Sequence, residues 1–298
     1  MSAAVLQFLP SSAEAARRLA ARLSVAAQEI AVHRFPDQEL RVTAGAPAPT
    51  TIVFASLDRP NDKLIALLFA SEALRRGGAK RLVLVAPYLC YMRQDIAFHA
   101  GEAISQKAVG RLLAANFDRV VTVDAHLHRT RSIAEVFPGI EADDLSAMPA
   151  IAEALRADNF DPATVIVGPD EESQAWVADL AGRLGIAHLV ARKTRASDHS
   201  VAVTLPDAAA VAGRPVLLID DIVSSGATLA ACAQALIAAG ARTIDAIIVH
   251  ALFAPELVAS LFKAGIRSVK STDSVAHPTN QIALDALLAG ALRKEIGA

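Results

Sequence analysis

Short, largely apolar runs alternate with longer alanine-rich stretches along this chain, and the two have different periods. Thr51–Ala55, Arg81–Ala86, Arg119–Val123, Thr164–Val167, Pro215–Ile219 and Ala246–His250 are rich in β-branched and aliphatic residues. Such runs suit strands buried on both faces of a parallel sheet. Between them, Asp62–Arg76, Ile104–Asn116, Ser173–Leu184 and Leu229–Ala239 have helical length and spacing. Ser11 and Glu14 have capping-box spacing, and Gly77–Gly78 and Gly240 fall where helices should stop. This alternation predicts an α/β fold with largely parallel sheets.

The alternation runs twice. Arg81–Ala86 and Pro215–Ile219 each lead into a polar loop at similar places in the two halves, which predicts two related α/β units. Periodicity breaks in the stretch EADDLSAMP, near Asp143–Pro149, so the expected units are 1–145 and 146–280. By its pattern alone, the helix-like stretch Gln281–Ile296 could pack on either half. A chain of 298 residues is long enough for each unit to bury its own core.

Composition narrows the partners. A formal net charge of −2 gives no basic field for nucleic acid or an anionic membrane surface. The hydrophobic fraction of 53% is raised by alanine, and no apolar run approaches the roughly 20 residues of a membrane span. Glu14, Arg17 and Arg18 stand near the start without a short apolar core and cleavage site, so no secretory leader is expected. Cys90 and Cys232 are too few for a disulfide framework and are not spaced for zinc. The expectation is a reduced, cytoplasmic protein with neither nucleic acid nor membrane as partner.

The stretch Val216–Leu229, VLLIDDIVSSGATL, concentrates the chemistry. Its apolar run ends in Asp220 and Asp221, followed by Ser224, Ser225, Gly226, Ala227 and Thr228 and then a helical pattern. Small residues between a strand and a helix let backbone N–H groups approach an anion, and the helix N-terminus adds positive partial charge. Phosphate suits that turn, whereas the two carboxylates call for sugar hydroxyls or a hydrated metal ion. A pentose phosphate offers both ends.

This segment resembles the ribose-5-phosphate loop of type I phosphoribosyltransferases and of phosphoribosyl pyrophosphate (PRPP) synthetases. Other segments resemble the synthetases (ribose-phosphate diphosphokinases) in the same order, over roughly Val5 to Thr272. His33–Leu40 resembles their Phe-x-Asp/Asn-x-Glu segment, where a ring stacks on adenine and carboxylates accept from its amino group. Strand alternation would place Phe35, Asp37 and Glu39 on one face. Pro87–Asp95 resembles the Pro-Tyr-x-x-Tyr-x-Arg-Gln-Asp signature, which implies that Arg93, Gln94 and Asp95 bind ATP; the match continues through Lys107. A guanidinium fork suits phosphate, and an amide suits a base edge.

The resemblance further assigns Mg2+ to His126, at the end of Val120–Val123, and to Asp170 of the Pro169-Asp170 pair. His126-Leu127-His128 lacks a further His or Cys at ligand spacing for zinc. Lys193 and Arg195 match a Lys-x-Arg at the root of a loop that closes over the reacting phosphates, which implies a catalytic role. In the family the Phe35 segment reaches a neighbouring subunit, implying a homo-oligomer of two or more copies.

The resemblance has gaps. Glu172 and Ser173 stand where the family usually shows glycines, and carboxylates near phosphate weaken binding unless they face metal or water. Ser224 replaces a third acid found in many members, Ala227 a common glycine, and Ile96-Ala97 a frequent basic pair. Ser224 and the run Phe98–Glu102 look closer to the archaeal-type branch. The resemblance implies two tandem phosphoribosyltransferase-like domains, with 281–298 packing on the first. It also implies a ribose-phosphate diphosphokinase acting on ATP and ribose 5-phosphate. A PRPP-consuming phosphoribosyltransferase and a non-catalytic regulatory homologue stay open.

Overall fold

A computed structural model describes residues 4–197 and 200–297; the side chains of residues 193–202 lie outside that description. The chain forms two compact units. Unit 1 holds the residues up to Leu145 together with those from Leu284 onward, and unit 2 holds Ser146–Ala283.

In unit 1 the strands are β1 (Ala4–Phe8), β2 (Ala26–Glu29), β3 (Ala31–Arg34), β4 (Leu40–Thr43), β5 (Thr50–Phe54), β6 (Arg81–Ala86), β7 (Arg119–Val123) and β8 (Glu141–Leu145). Six of them form a parallel sheet in the order β2-β1-β5-β6-β7-β8, while β3 and β4 pair as a separate antiparallel hairpin. The helices are α1 (Ala13–Leu23), α2 (Pro60–Arg76), α3 (Ser105–Ala114) and α4 (Ile133–Val136). The interior strands β5, β6 and β7 are buried almost throughout, the reason they read as continuous apolar runs.

Unit 2 repeats this plan. Helix α5 (Met148–Ala157) precedes β9 (Val165–Gly168), α6 (Gln174–Leu184) and β10 (His188–Val190). The hairpin β11 (Arg192–Ser197) and β12 (Ser200–Thr204) follows, then β13 (Pro215–Val223), α7 (Ala227–Ala238) and β14 (Thr243–Ala251). Helix α8 (Leu257–Lys263), β15 (Ser268–Thr272) and β16 (Asn280–Ile282) complete the unit. The sheet order β10-β9-β13-β14-β15-β16 matches that of unit 1 strand for strand, again with a detached hairpin after the second strand.

The helices cross over between repeats. Helix α5 follows β8 of unit 1 but packs on α6 in unit 2, and α9 (Asp285–Leu292) follows β16 but packs on α1 in unit 1. Arg22 donates to Asp285 at 2.5 Å. Arg119, only 2% exposed, donates to Asp143, to Glu295 at 2.9 Å and to the Ala291 carbonyl at 3.1 Å.

Four local expectations change. EADDLSAMP contains strand β8, with the change of unit kept between Leu145 and Ser146; the acids are tolerated because Arg81, Arg119 and Lys294 meet Glu141 and Asp143. Within Gln281–Ile296, helix begins only at Asp285, after β16. Strand β13 runs past Ile219 to Val223, because Asp220, Ile222 and Val223 still pair with β14. Phe35–Glu39 is not extended but is the turn of the β3–β4 hairpin. Pro36 starts that turn, the Glu39 N–H donates to the Asp37 carboxylate at 3.1 Å, and Gln38 takes φ 75°. These are turn preferences, and they override the two-residue alternation.

Candidate functional site

In unit 2, strands β9 and β13 lie side by side, with Val165 against Val216 and Val167 against Leu218. That register carries Asp170 and the pair Asp220–Asp221 to the same carboxyl end of the sheet, where open α/β sheets bind ligands. Asp221 is buried and donates its own N–H to the Asp220 carboxylate at 3.1 Å, while the Ile222 N–H donates to Asp221 at 2.7 Å. Burial pushes the Asp220 carboxyl well above its usual range, and the charges of Asp221 and Asp170 push the same way. The carboxylates of Asp220 and Asp221, with the charge of Asp170 felt at Asp220, offer oxygens suited to sugar hydroxyls or a hydrated cation.

Immediately beyond, Ser224 and Ser225 are exposed and Gly226 takes φ 71° at the start of α7. Only glycine fits there. A Cβ would meet Leu257 at 2.7 Å as well as the left-handed strain. Helix α7 begins at Ala227, two residues earlier than its apolar pattern implied, so Ala227 and Thr228 lie in its first turn. The first-turn N–H groups of such a helix have no intrahelical acceptor. Gly226 has no side chain to cap them, the Ala227 N–H makes only a long 3.5 Å bond to the Ser225 hydroxyl, and small residues leave the backbone open to a phosphate. Carboxylates on the strand and amide donors on the helix are thus joined by one short turn.

The unusual Glu171–Ser173 segment has a structural role. It forms a short 3-10 turn in which Ser173 is fully buried and its hydroxyl donates to the Asp170 carbonyl at 2.5 Å. A Cβ on Gly168 would strike that hydroxyl at 1.8 Å, so Gly168 and Ser173 fit as a pair. Glu171 is exposed and faces Arg192 at 3.8 Å, and Glu172 is exposed too. Beneath the cluster, burial raises the Cys232 thiol to about 12, with Asp220 and Asp170 adding to it, which makes it inert. Lys193 and Arg195 belong to β11, opposite Val203 and Val201 of β12; their side chains lie outside the described residues.

In unit 1 the Phe35 ring is 37% exposed, edge-on to His33 at 4.8 Å and 5.8 Å from the Arg41 guanidinium. Asp37 and Glu39 are exposed on the same turn. The loop after β6 presents Arg93 to solvent. Gln94 accepts from Ser105 at 2.9 Å through its amide oxygen. Asp95 turns inward, accepting from the Arg129 guanidinium at 2.8 Å and from the Arg129 N–H at 3.1 Å. Burial would raise its carboxyl, but these bonds outweigh it and hold it below the usual value. His126 follows β7 in the same unit, its ring edge-on to His128 at 4.0 Å. His126 and Asp170 therefore belong to different units. Arg129 was passed over in the sequence; in the run His126–Arg131 it leaves only the weak signal of a basic residue near a strand-end histidine.

The comparisons with known proteins bear on the family and the fold. Residues 5–116 match the model of the N-terminal domain of ribose phosphate pyrophosphokinase, and residues 145–270 match that of the phosphoribosyl transferase domain. The ribose-phosphate pyrophosphokinase 2 of Archaeoglobus fulgidus is 34% identical over 94% of this chain and 97% of its own. The ribose-phosphate pyrophosphokinase of Methanopyrus kandleri is 32% identical over 90% and 91% respectively. The crystal structure of phosphoribosylpyrophosphate synthetase from Mycobacterium smegmatis superposes with a TM-score of 0.82 at 26% identity, covering 97% of each chain.

Proposed function

The chain belongs to the ribose-phosphate pyrophosphokinase family, and we propose on that premise how its own residues divide the reaction. The reaction is attack by the anomeric hydroxyl of ribose 5-phosphate on the β-phosphorus of ATP. The bond from that phosphorus to the α–β bridging oxygen breaks, the anomeric proton is lost, and PRPP and AMP result. No covalent enzyme intermediate is required.

The observation that carries this reading is the join in unit 2 between the Asp220–Asp221 pair and the small-residue first turn of α7. The carboxylates hold ribose hydroxyls or their metal ion, and Ser224–Thr228 hold the 5-phosphate through backbone and hydroxyl donors. In unit 1, Phe35, Asp37, Glu39, Arg93 and Gln94 bind ATP, with Asp95 buried behind them. Lys193 and Arg195 neutralise the pyrophosphoryl group during transfer. His126 and Asp170 are the candidate Mg2+ ligands, and the Asp170 carboxylate is the hard oxygen donor of the two. When bound, Mg2+ would neutralise phosphate charge and orient the chain of phosphates. The exposed Phe35 turn supports an assembly of two or more copies, working in the cytoplasm.

The test mixes purified protein, ATP, Mg2+ and ribose 5-phosphate and follows AMP and PRPP. Equal yields of the two are expected. AMP without PRPP would mean hydrolysis, and PRPP consumption on adding a base would mean a transferase instead.

A further inference from the structure

Two loops of unit 1 leave the carboxyl ends of the neighbouring parallel strands β6 and β7, and side chains tie them together. Asp95, from the first loop, is 6% exposed and grips Arg129 of the second twice, through the backbone N–H and through one guanidinium nitrogen. A second tie lies beside it: the Thr130 hydroxyl donates to Gln106 at 2.8 Å, and the Gln106 N–H donates to the Gln94 carbonyl at 3.2 Å. Arg129 itself stays 55% exposed. Its guanidinium lies 5.9 Å from the centre of the Phe98 ring, which is 57% exposed.

The Arg129 N–H occupies one carboxylate oxygen of Asp95, so the guanidinium meets the other with a single nitrogen. Here one nitrogen serves Asp95, and the remaining N–H groups face outward along an aromatic surface. The fork is pre-set, since the carboxylate and the ring remove side-chain freedom before any ligand arrives. Outward donors in a planar fork match two oxygens of one phosphate. Arg93, on the first loop, is exposed nearby in sequence and supplies a second cation of the same kind.

We infer that Arg129 is a further nucleotide-binding residue that contacts a phosphate of ATP, and that Asp95 is the positioning residue that aims it. This rests on the reading of unit 1 as the ATP-binding half.

Steady-state kinetics of the full-length protein with Mg2+ test the pair, varying ATP and ribose 5-phosphate in turn. Arg129→Ala should raise the KM for ATP about tenfold, the loss of one charge-assisted contact. The KM for ribose 5-phosphate should stay as in the wild type, while the melting midpoint should fall, because Asp95 loses its charged partner. Arg129→Lys should recover part of the loss, because it restores the charge without the fork. Asp95→Asn should reproduce the ATP defect and add nothing to Arg129→Ala when the two are combined. An unchanged ATP KM in Arg129→Ala, or a loss shared equally by both substrates, would overturn the inference while leaving the ATP site intact. A wild-type protein that neither binds nor turns over ATP would overturn both the inference and the reading beneath it.

Discussion

At the scale of single residues, Asp220 carries the clearest sign of a site held ready for a ligand. Burial and two neighbouring acids raise its carboxyl, so its ionised form is disfavoured until a cation or hydroxyl donors arrive. Such tension is stored at functional sites at the expense of stability. Asp220→Asn combined with Asp221→Asn should therefore leave the melting midpoint unchanged or higher. The same change should raise the KM for ribose 5-phosphate by about a hundredfold, two charge-assisted contacts at about tenfold each. The ATP KM should stay within about twofold, a change of under half a kcal/mol. Equal losses for both substrates would show the pair to be misassigned. Much of this was legible in the sequence, since Asp220–Thr228 is one continuous segment whose residue types declare their chemistry. Asp95 was less legible. Its type suggested a ligand contact, but its partner Arg129 is 34 residues away and reaches it only through the pairing of β6 with β7.

At the scale of elements, the two detached hairpins and the C-terminal segment decide where side chains stand. The β3–β4 and β11–β12 hairpins occupy the same place in the two repeats, and they carry Phe35–Glu39 and Lys193–Arg195 respectively. Both are two-stranded and separate from the main sheets, β4 packing on α2 and β12 on α7. The segment after α9 fixes the base of the unit 1 sheet. Glu295 accepts from Arg81 at 2.6 Å and from the buried Arg119 at 2.9 Å. Burial alone would raise its carboxyl, but the two guanidinium groups outweigh it, and the carboxyl sits below its usual value. A carboxyl lowered on folding adds stability above its unfolded value and loses that stability as the pH falls toward the folded one. Glu295→Gln should cost about 3 kcal/mol at neutral pH, because Arg119 would lose a buried charged partner. The gap should close as the medium is acidified below the ordinary carboxylate range. Denaturant melts of both proteins across that interval measure it, and a constant gap would count against the ion-pair account.

At the scale of the whole molecule, one topology is used twice and the last helix of each repeat is exchanged. Unit 2 is continuous in sequence, whereas unit 1 is completed only by residues from Leu284 onward. Removing residues 284–298 should destabilise unit 1 and spare unit 2. Hydrogen exchange should show faster exchange through β6 and β7 with β13 and β14 unaffected, and ribose 5-phosphate should still bind. Uniform loss of protection in both sheets would contradict this division.

The sequence by itself determined what depends on neighbours along the chain. Strands buried on both faces must be apolar throughout, helices such as α2 and α7 end beside recognisable glycines, and a strand closing in two acids and a small-residue turn has few physical uses. Only the tertiary structure decided what depends on strand order. It set β9 beside β13 so that Asp170 joins Asp220, bent Phe35–Glu39 into a turn, gave Arg119 its distant acid and sent α5 and α9 to opposite repeats. The physical reason is range. Periodicity records which face of an element is covered, but not which distant element covers it.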